Sequence, residues 1–180
     1  MYYRQTDKNK IFYKILKLLC VIFRMMIRTY RESDRQACLD IFDSNCPKYF
    51  APHERAYLEA WLNHQGKEPK EAAYKNSKAD HFYVLEADGI LKGCGGFYIN
   101  VEEEEAVMAW GMVNNADHHK GLGKALYRYR VEKIEELYPG TKIVLYTSQH
   151  TFGFFEKLGL KVTTITKDGF GEGLDRYDME

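Results

Sequence analysis

From Met26 onward the apolar and polar positions change period several times, and each change marks an element. "MIRTYR" reads as a first strand, and Ser33 or Asp34 stands where a cap belongs for the helix "DRQACLDIFDSN". "PKYFAP" breaks the chain before a second helix, "HERAYLEAWLNHQ", with Ala56, Leu58, Ala60, Trp61 and Leu62 available for burial. After a polar connection, "HFYVLEADG" and "ILKGCGGFYIN" form a hairpin around Asp88–Gly89, a strong turn pair between β-rich runs. "EAVMAWGMV" is apolar enough for a central strand, and "KALYRYRVEKIEELYP" is an amphipathic helix ending at Pro139–Gly140. A buried strand "KIVLYT", a helix "HTFGFFEKLG" and two late strands, "KVTTIT" and "LDRYDM", complete the series. The sum is an α/β (α+β) domain, a mixed central sheet of six to seven strands flanked by four helices.

At 180 residues and 45% hydrophobic content the chain suits one compact domain, here residues 25–180. Its net charge is zero, but the first 24 residues hold six basic groups (Arg4, Lys8, Lys10, Lys14, Lys17, Arg24) and one acidic, Asp7. The remainder carries 20 basic against 25 acidic residues, a balance that argues against a nucleic-acid-binding face. Residues 1–24 form a basic apolar leader too short and too interrupted by Lys14 and Lys17 to span a membrane. Two readings stay open for it: a tail or start-site artefact ahead of Met25 or Met26, or an interfacial helix, which alone would bring membrane contact. Cys20, Cys38, Cys46 and Cys94 lack metal or redox spacing and read as reduced thiols of a cytoplasmic protein.

Between the central strand and the amphipathic helix lies "NNADHHKGLG". A helix N-terminus presents unsatisfied N–H groups and about half a positive charge, and Gly121 and Gly123 let an anion approach the backbone. The loop reads as a phosphate cradle suited to a pyrophosphate. It is no Walker A loop, and the dinucleotide fingerprint fails because Leu126 occupies its third glycine position, so ATP and NAD are poor candidates.

"GMVNNADHHKGLGKAL" resembles the acetyl-CoA motif of the GNAT superfamily of N-acetyltransferases, Gln/Arg-x-x-Gly-x-Gly/Ala at the start of a helix after a central strand. Gly121 and Gly123 match it, and His118 stands where Gln or Arg is usual. "TSQHTFGFFEKLGL" is similar to the family's later strand and helix, with its F-[FY]-x-x-x-G-[FL] signature, and the order of elements from Met26 to Met179 is that of the fold. The resemblance implies acetyl-CoA as co-substrate and an N-acetyltransferase. It implies that the cofactor runs along Met112 and Val113 and over the loop from His118, His119, Lys120, Gly121 and Leu122 to Gly123 and Lys124, with Thr147 and Phe154 on the other side. The acceptor is implied to be a primary amine of a small molecule or peptide, acetylated directly in a ternary complex.

For such transfer the amine must lose a proton and the departing thiolate must gain one. Some members carry a catalytic Glu at the strand position of Val107; Glu105, two residues earlier on the same face, is the candidate base here. Many members use a Tyr as acid at the position of Phe155, and Phe cannot donate a proton; Tyr146, Ser148 or water are the substitutes. The acceptor pocket of this fold forms between the first two helices and the last hairpin, which nominates Asn45, Tyr49, Phe50, Glu54, His150, Phe170 and Asp175. No metal is expected, because adjacent His118 and His119 diverge and no Cys/His cluster supplies converging ligands. Trp110 and Cys94 read as core, and "GCGG" as a bulge or close crossing. A homodimer stays open, and so does an alternative without chemistry, an acyl-CoA-binding module.

Overall fold

A computed structural model describes residues 25–65 and 76–180. The leader and residues 66–75 of the connection ahead of the hairpin lie outside the described residues, whereas the last part of that connection, residues 77–80, is already strand. Seven strands form one sheet: β1 (Met25–Thr29), β2 (Ser77–Ala87), β3 (Ile90–Asn100), β4 (Glu105–Val113), β5 (Lys142–Ser148), β6 (Val162–Gly171) and β7 (Leu174–Met179). Their spatial order is β1-β2-β3-β4-β5-β7-β6, antiparallel throughout except for the β4–β5 pair. Among the described residues the α-helices are α1 (Arg35–Asn45), α2 (Glu54–His64), α3 (Leu122–Leu137) and α4 (Phe152–Glu156).

The helices cover opposite faces of the sheet. Cys38, Ile41 and Phe42 of α1 and Leu58, Trp61 and Leu62 of α2 pack with Phe82, Val84, Cys94 and Met112. Tyr127 and Ile134 of α3 pack with Tyr83, Phe97, Ala106, Met108 and Leu145 on the other face. Ala56 and Ala60, expected in the core, are exposed, because the buried stripe of α2 runs through Leu58, Trp61 and Leu62 and the alanines lie on the far side. Asp34 precedes α1 but makes no side-chain cap. Its carboxylate instead receives Arg28 Nη1 and Nη2 at 2.7 and 2.8 Å and the Arg31 N–H at 2.8 Å, which ties the start of α1 to the edge strand. The β2–β3 turn is as expected, with positive φ at both Asp88 (55°) and Gly89 (74°), the geometry of a tight hairpin.

A bulge in β4 matters most for function. Between the pairs Cys94↔Met112 and Gly96↔Ala109, β3 contributes one residue and β4 two, Trp110 and Gly111. Trp110 takes φ 52°, a costly left-handed conformation for a bulky residue. The extra residue swaps the faces of the strand. Ala106 and Met108 face α3, whereas Trp110 and Met112, though still at even positions, face α1.

Candidate functional site

Beyond the bulge the sheet opens. The β4–β5 ladder runs only from Glu105↔Lys142 to Met108↔Leu145. Past it, β4 continues to pair with β3 and Tyr146–Ser148 of β5 pair with β7, so a gap separates the C-terminal ends of two parallel neighbours. Asn114 N–H bonds the Lys92 carbonyl across to β3. Strand alternation therefore turns the N–H of Val113 the other way, to the gap.

The glycine loop stands at the mouth of this gap. Gly121 caps α3 with φ 84° and open space where a side chain would be, so its left-handed turn both requires glycine and leaves the backbone bare. A Cβ on Gly123 would lie 3.6 Å from Phe154 of α4 and 3.8 Å from Val113 of β4, so the two walls converge on the first turn of α3. Lys120 and Lys124 are exposed beside that turn. Asp117, buried under the loop, pairs with Lys120 at 2.7 Å and Lys92 at 2.9 Å, and these ammonium groups hold its carboxyl below the usual range. This cradle of bare backbone, helix N-terminus and lysines fits a pyrophosphate, and the gap fits an extended arm bonding to the free edge of β4.

Two predicted residues hold the frame of the gap. Asn45 Nδ2 donates to the Val113 carbonyl at 2.9 Å, and His118 Nε2 lies 3.0 Å from the same oxygen. That carbonyl has both lone pairs engaged, so Val113 offers the gap its N–H. Met112 is buried against α1 with its side chain away from α3, and His119 is exposed at φ 61°. Leu122 opens α3 half-buried, and the Thr147 hydroxyl is hydrogen-bonded to Thr151 at the approach to α4.

The side of the mouth formed by the α1–α2 link is aromatic. Tyr49, from the α1–α2 link, meets His118 edge-on at 5.2 Å and His150 at 6.1 Å, drawing three loops together at the mouth. Phe50 stacks on Trp110 at 6.4 Å. Trp110 packs against the core as expected, and its Nε1 has no hydrogen-bond partner among the described residues. Glu54 accepts the Ala51 N–H at 2.7 Å, and burial raises its carboxyl against that bond. Asp175 spends Oδ1 on the Asp168 N–H at 2.9 Å, inside the β6–β7 hairpin, and Phe170 is half-buried there. Gln149 pins this hairpin to the β5–α4 loop, donating to Gly173 at 2.8 Å and accepting from Asp175 N–H at 2.9 Å.

The candidate catalytic residues are spread out. Glu105 begins β4, eight residues before Val113 or about 26 Å of strand at ~3.3 Å per residue, and pairs with Lys142 at 3.1 Å. It is not brought to the gap. Tyr146 is 41% exposed with the Arg176 guanidinium 3.9 Å from its ring centre; Ser148 is buried, 3.5 Å from the Thr151 hydroxyl. Phe155 packs edge-on against Tyr127 at 5.9 Å and carries no exchangeable proton.

Known proteins share this fold. A model of the Acetyltransferase (GNAT) family matches residues 36–160. No curated protein sequence matches the chain. Among solved structures, the ribosomal-protein-S18-alanine N-acetyltransferase of Escherichia coli superposes with TM-score 0.63 at 17% identity, over 86% of this chain and 91% of that one. The IAA acetyltransferase of Bacillus cereus gives 0.61 at 16% identity, over 86% and 97%. The yncA protein of Salmonella typhimurium, solved with its cofactor acetyl-CoA, gives 0.60 at 18% identity, over 86% and 91%. At such identities these likenesses speak for the fold, while the family match spans well over half of the sequence and includes both β4 and the glycine loop. The chain belongs to the GNAT family of acetyltransferases.

Proposed function

We propose that this acetyltransferase moves the acetyl group of acetyl-CoA to a primary amine of a small molecule or peptide, by direct attack in a ternary complex. The observation that carries the reading is the gap between β4 and β5 with the bare first turn of α3 at its mouth. Acetyl-CoA supplies the activated thioester. The residues of this chain hold and orient it: backbone N–H groups and lysines at Gly121, Gly123, Lys120 and Lys124 for the phosphates, the free edge of β4 for the arm, and the Val113 N–H as a donor toward a polarised carbonyl.

The acceptor enters from the α1–α2 side, over Tyr49, Phe50 and Trp110. Aromatic faces and the half-buried carboxyl of Glu54 favour an amine that arrives as a cation and gives up its proton before attack. Glu105 is tied up with Lys142 far from the gap, so water takes that proton in this reading, and orientation carries much of the rate. The alternative, an acyl-CoA-binding module, draws support from Phe155. Acetyl-CoA turnover against a panel of amines, followed by thiol release and product mass, separates the two: amine-dependent release with a product 42 mass units heavier, roughly one acetyl for one hydrogen, is expected. Tight acetyl-CoA binding without turnover on any amine would leave the binding module.

A further inference from the structure

Beneath the gap lies a buried cation with no carboxylate beside it. Arg130, on the sheet-facing side of α3, is 3% exposed. Its Nε donates to the Leu126 carbonyl at 3.3 Å, and its Nη1 to the carbonyls of Gly96 at 3.2 Å and Ala109 at 3.5 Å. No Asp or Glu among the described residues pairs with it, although a buried guanidinium ordinarily demands one. The titratable groups nearest it are Tyr127 on its own helix and, across the sheet on the α1 face, Cys94, which is hydrogen-bonded to Cys38; the strands themselves present Gly95, Gly111 and the Ala109 carbonyl. Burial brings the guanidinium down to about 10, which leaves it charged at neutral pH.

Both adjoining strands are cut back to admit it. A Cβ on Gly111 would lie 2.8 Å from Nη2 and 3.0 Å from Nη1, and one on Gly95 3.1 Å from Nη1. Gly111 is the second residue of the bulge and borders the gap two positions below Val113, whose side chain approaches Gly123. An acyl-CoA with its pyrophosphate on the first turn of α3 and its arm along β4 from Val113 brings its thioester end toward Gly111. The charge therefore stands behind the strand where the leaving group forms, in a site whose Phe155 has no proton to give.

We propose that Arg130 is a positioning residue for the leaving group: acting through the Gly111 segment, its buried charge lowers the proton affinity of the CoA sulfur, so that sulfur departs as thiolate without an acid. The inference rests on the acetyltransferase reading. In the step the neutral amine nitrogen bonds to the carbonyl carbon, and the C–S bond breaks with its electron pair leaving on sulfur. The ammonium proton passes to water, and the thiolate takes a proton from water on release.

The test is an ultraviolet pH titration of the thiolate of CoA bound to the full chain, with CoA affinity measured by calorimetry and folding by circular dichroism. The bound thiol is expected to titrate at least about one unit below free CoA, a tenfold richer thiolate at a given pH. Arg130→Gln, which keeps a donor for the Gly96 carbonyl but no charge, is expected to remove the shift, and Arg130→Lys to keep most of it. A bound thiol in the intact protein that titrates as in free CoA or above overturns the proposal without any variant. So does a folded, CoA-binding Arg130→Gln protein with the shift intact. Absence of CoA binding by the intact protein overturns the acetyltransferase reading and this role together, whereas binding with an unshifted thiol overturns only the role of Arg130.

Discussion

Asn45 at the end of α1 donates from Nδ2 to the carbonyl of Val113, the last residue of β4, at 2.9 Å, across 68 positions of sequence. The same nitrogen reaches the Ile41 carbonyl at 2.8 Å, so one buried amide closes α1 and fixes the strand end from which the cofactor arm is expected to run. Asn45→Ala leaves the Ile41 and Val113 carbonyls each short of a donor and is expected to cost about 1–3 kcal/mol in denaturant unfolding, with weaker CoA binding. Unchanged stability and affinity would mean that His118 alone holds Val113.

Gly123 sits where β4 and α4 converge on α3. In Gly123→Leu, Cγ and Cδ must extend beyond a Cβ already 3.6 Å from Phe154, into the mouth of the gap. The expected outcome is a folded protein with at least about tenfold weaker acetyl-CoA binding, near 1.4 kcal/mol. Calorimetry on the variant checks it, and native affinity would place the cofactor elsewhere.

The glycine loop is anchored electrostatically through Asp117. Lys120 foremost, and Lys92, depress its carboxyl pKa in the folded state. A depressed carboxyl contributes stability that is fully present above its unfolded pKa, near 3.9, and is lost as pH falls through the lower folded value. Asp117→Asn is thus expected to lower the melting temperature at neutral pH, with the difference from the parent protein closing only below the ordinary carboxylate range. A difference that closes between pH 5 and 7 would contradict the assignment.

Glu54 behaves in the opposite sense. Burial raises its folded pKa, so its protonated form favours the native state below the unfolded value and that contribution fades as pH rises through the folded one. Glu54→Gln retains an acceptor for the Ala51 N–H and is expected to melt higher than the parent above that window and equally below it. A melting series across pH reads this directly.

Much of this site is legible in the sequence, for reasons that are local. Gly121 and Gly123 announce a helix start that must stay bare, Asp88–Gly89 demands a left-handed pair, and the apolar run from Glu105 to Val113 coincides with β4. What stays hidden depends on partners remote in sequence. The bulge at Trp110 leaves no trace in a strand that is apolar on both faces, since a slip of one residue exchanges one apolar side chain for another. Arg130 reads as part of a charged helix surface until Gly95 and Gly111 are seen to clear its place, and the twin glycines of "GCGG" gain their meaning only across the sheet. Asn45 passes for a pocket residue because nothing near it in sequence reveals Val113. The expectation of a cap at Asp34 misses Arg28, which claims the carboxylate first.

The most direct test of the whole account is acetyl-CoA binding by calorimetry, comparing the intact protein with a folded Gly121→Glu, Gly123→Glu double variant. Two carboxylates in the cradle would meet the pyrophosphate with like charge and fill the space that both glycines keep open. The account predicts stoichiometric binding by the intact protein and its loss in the variant; undiminished binding by the variant, or none by the intact protein, would contradict it.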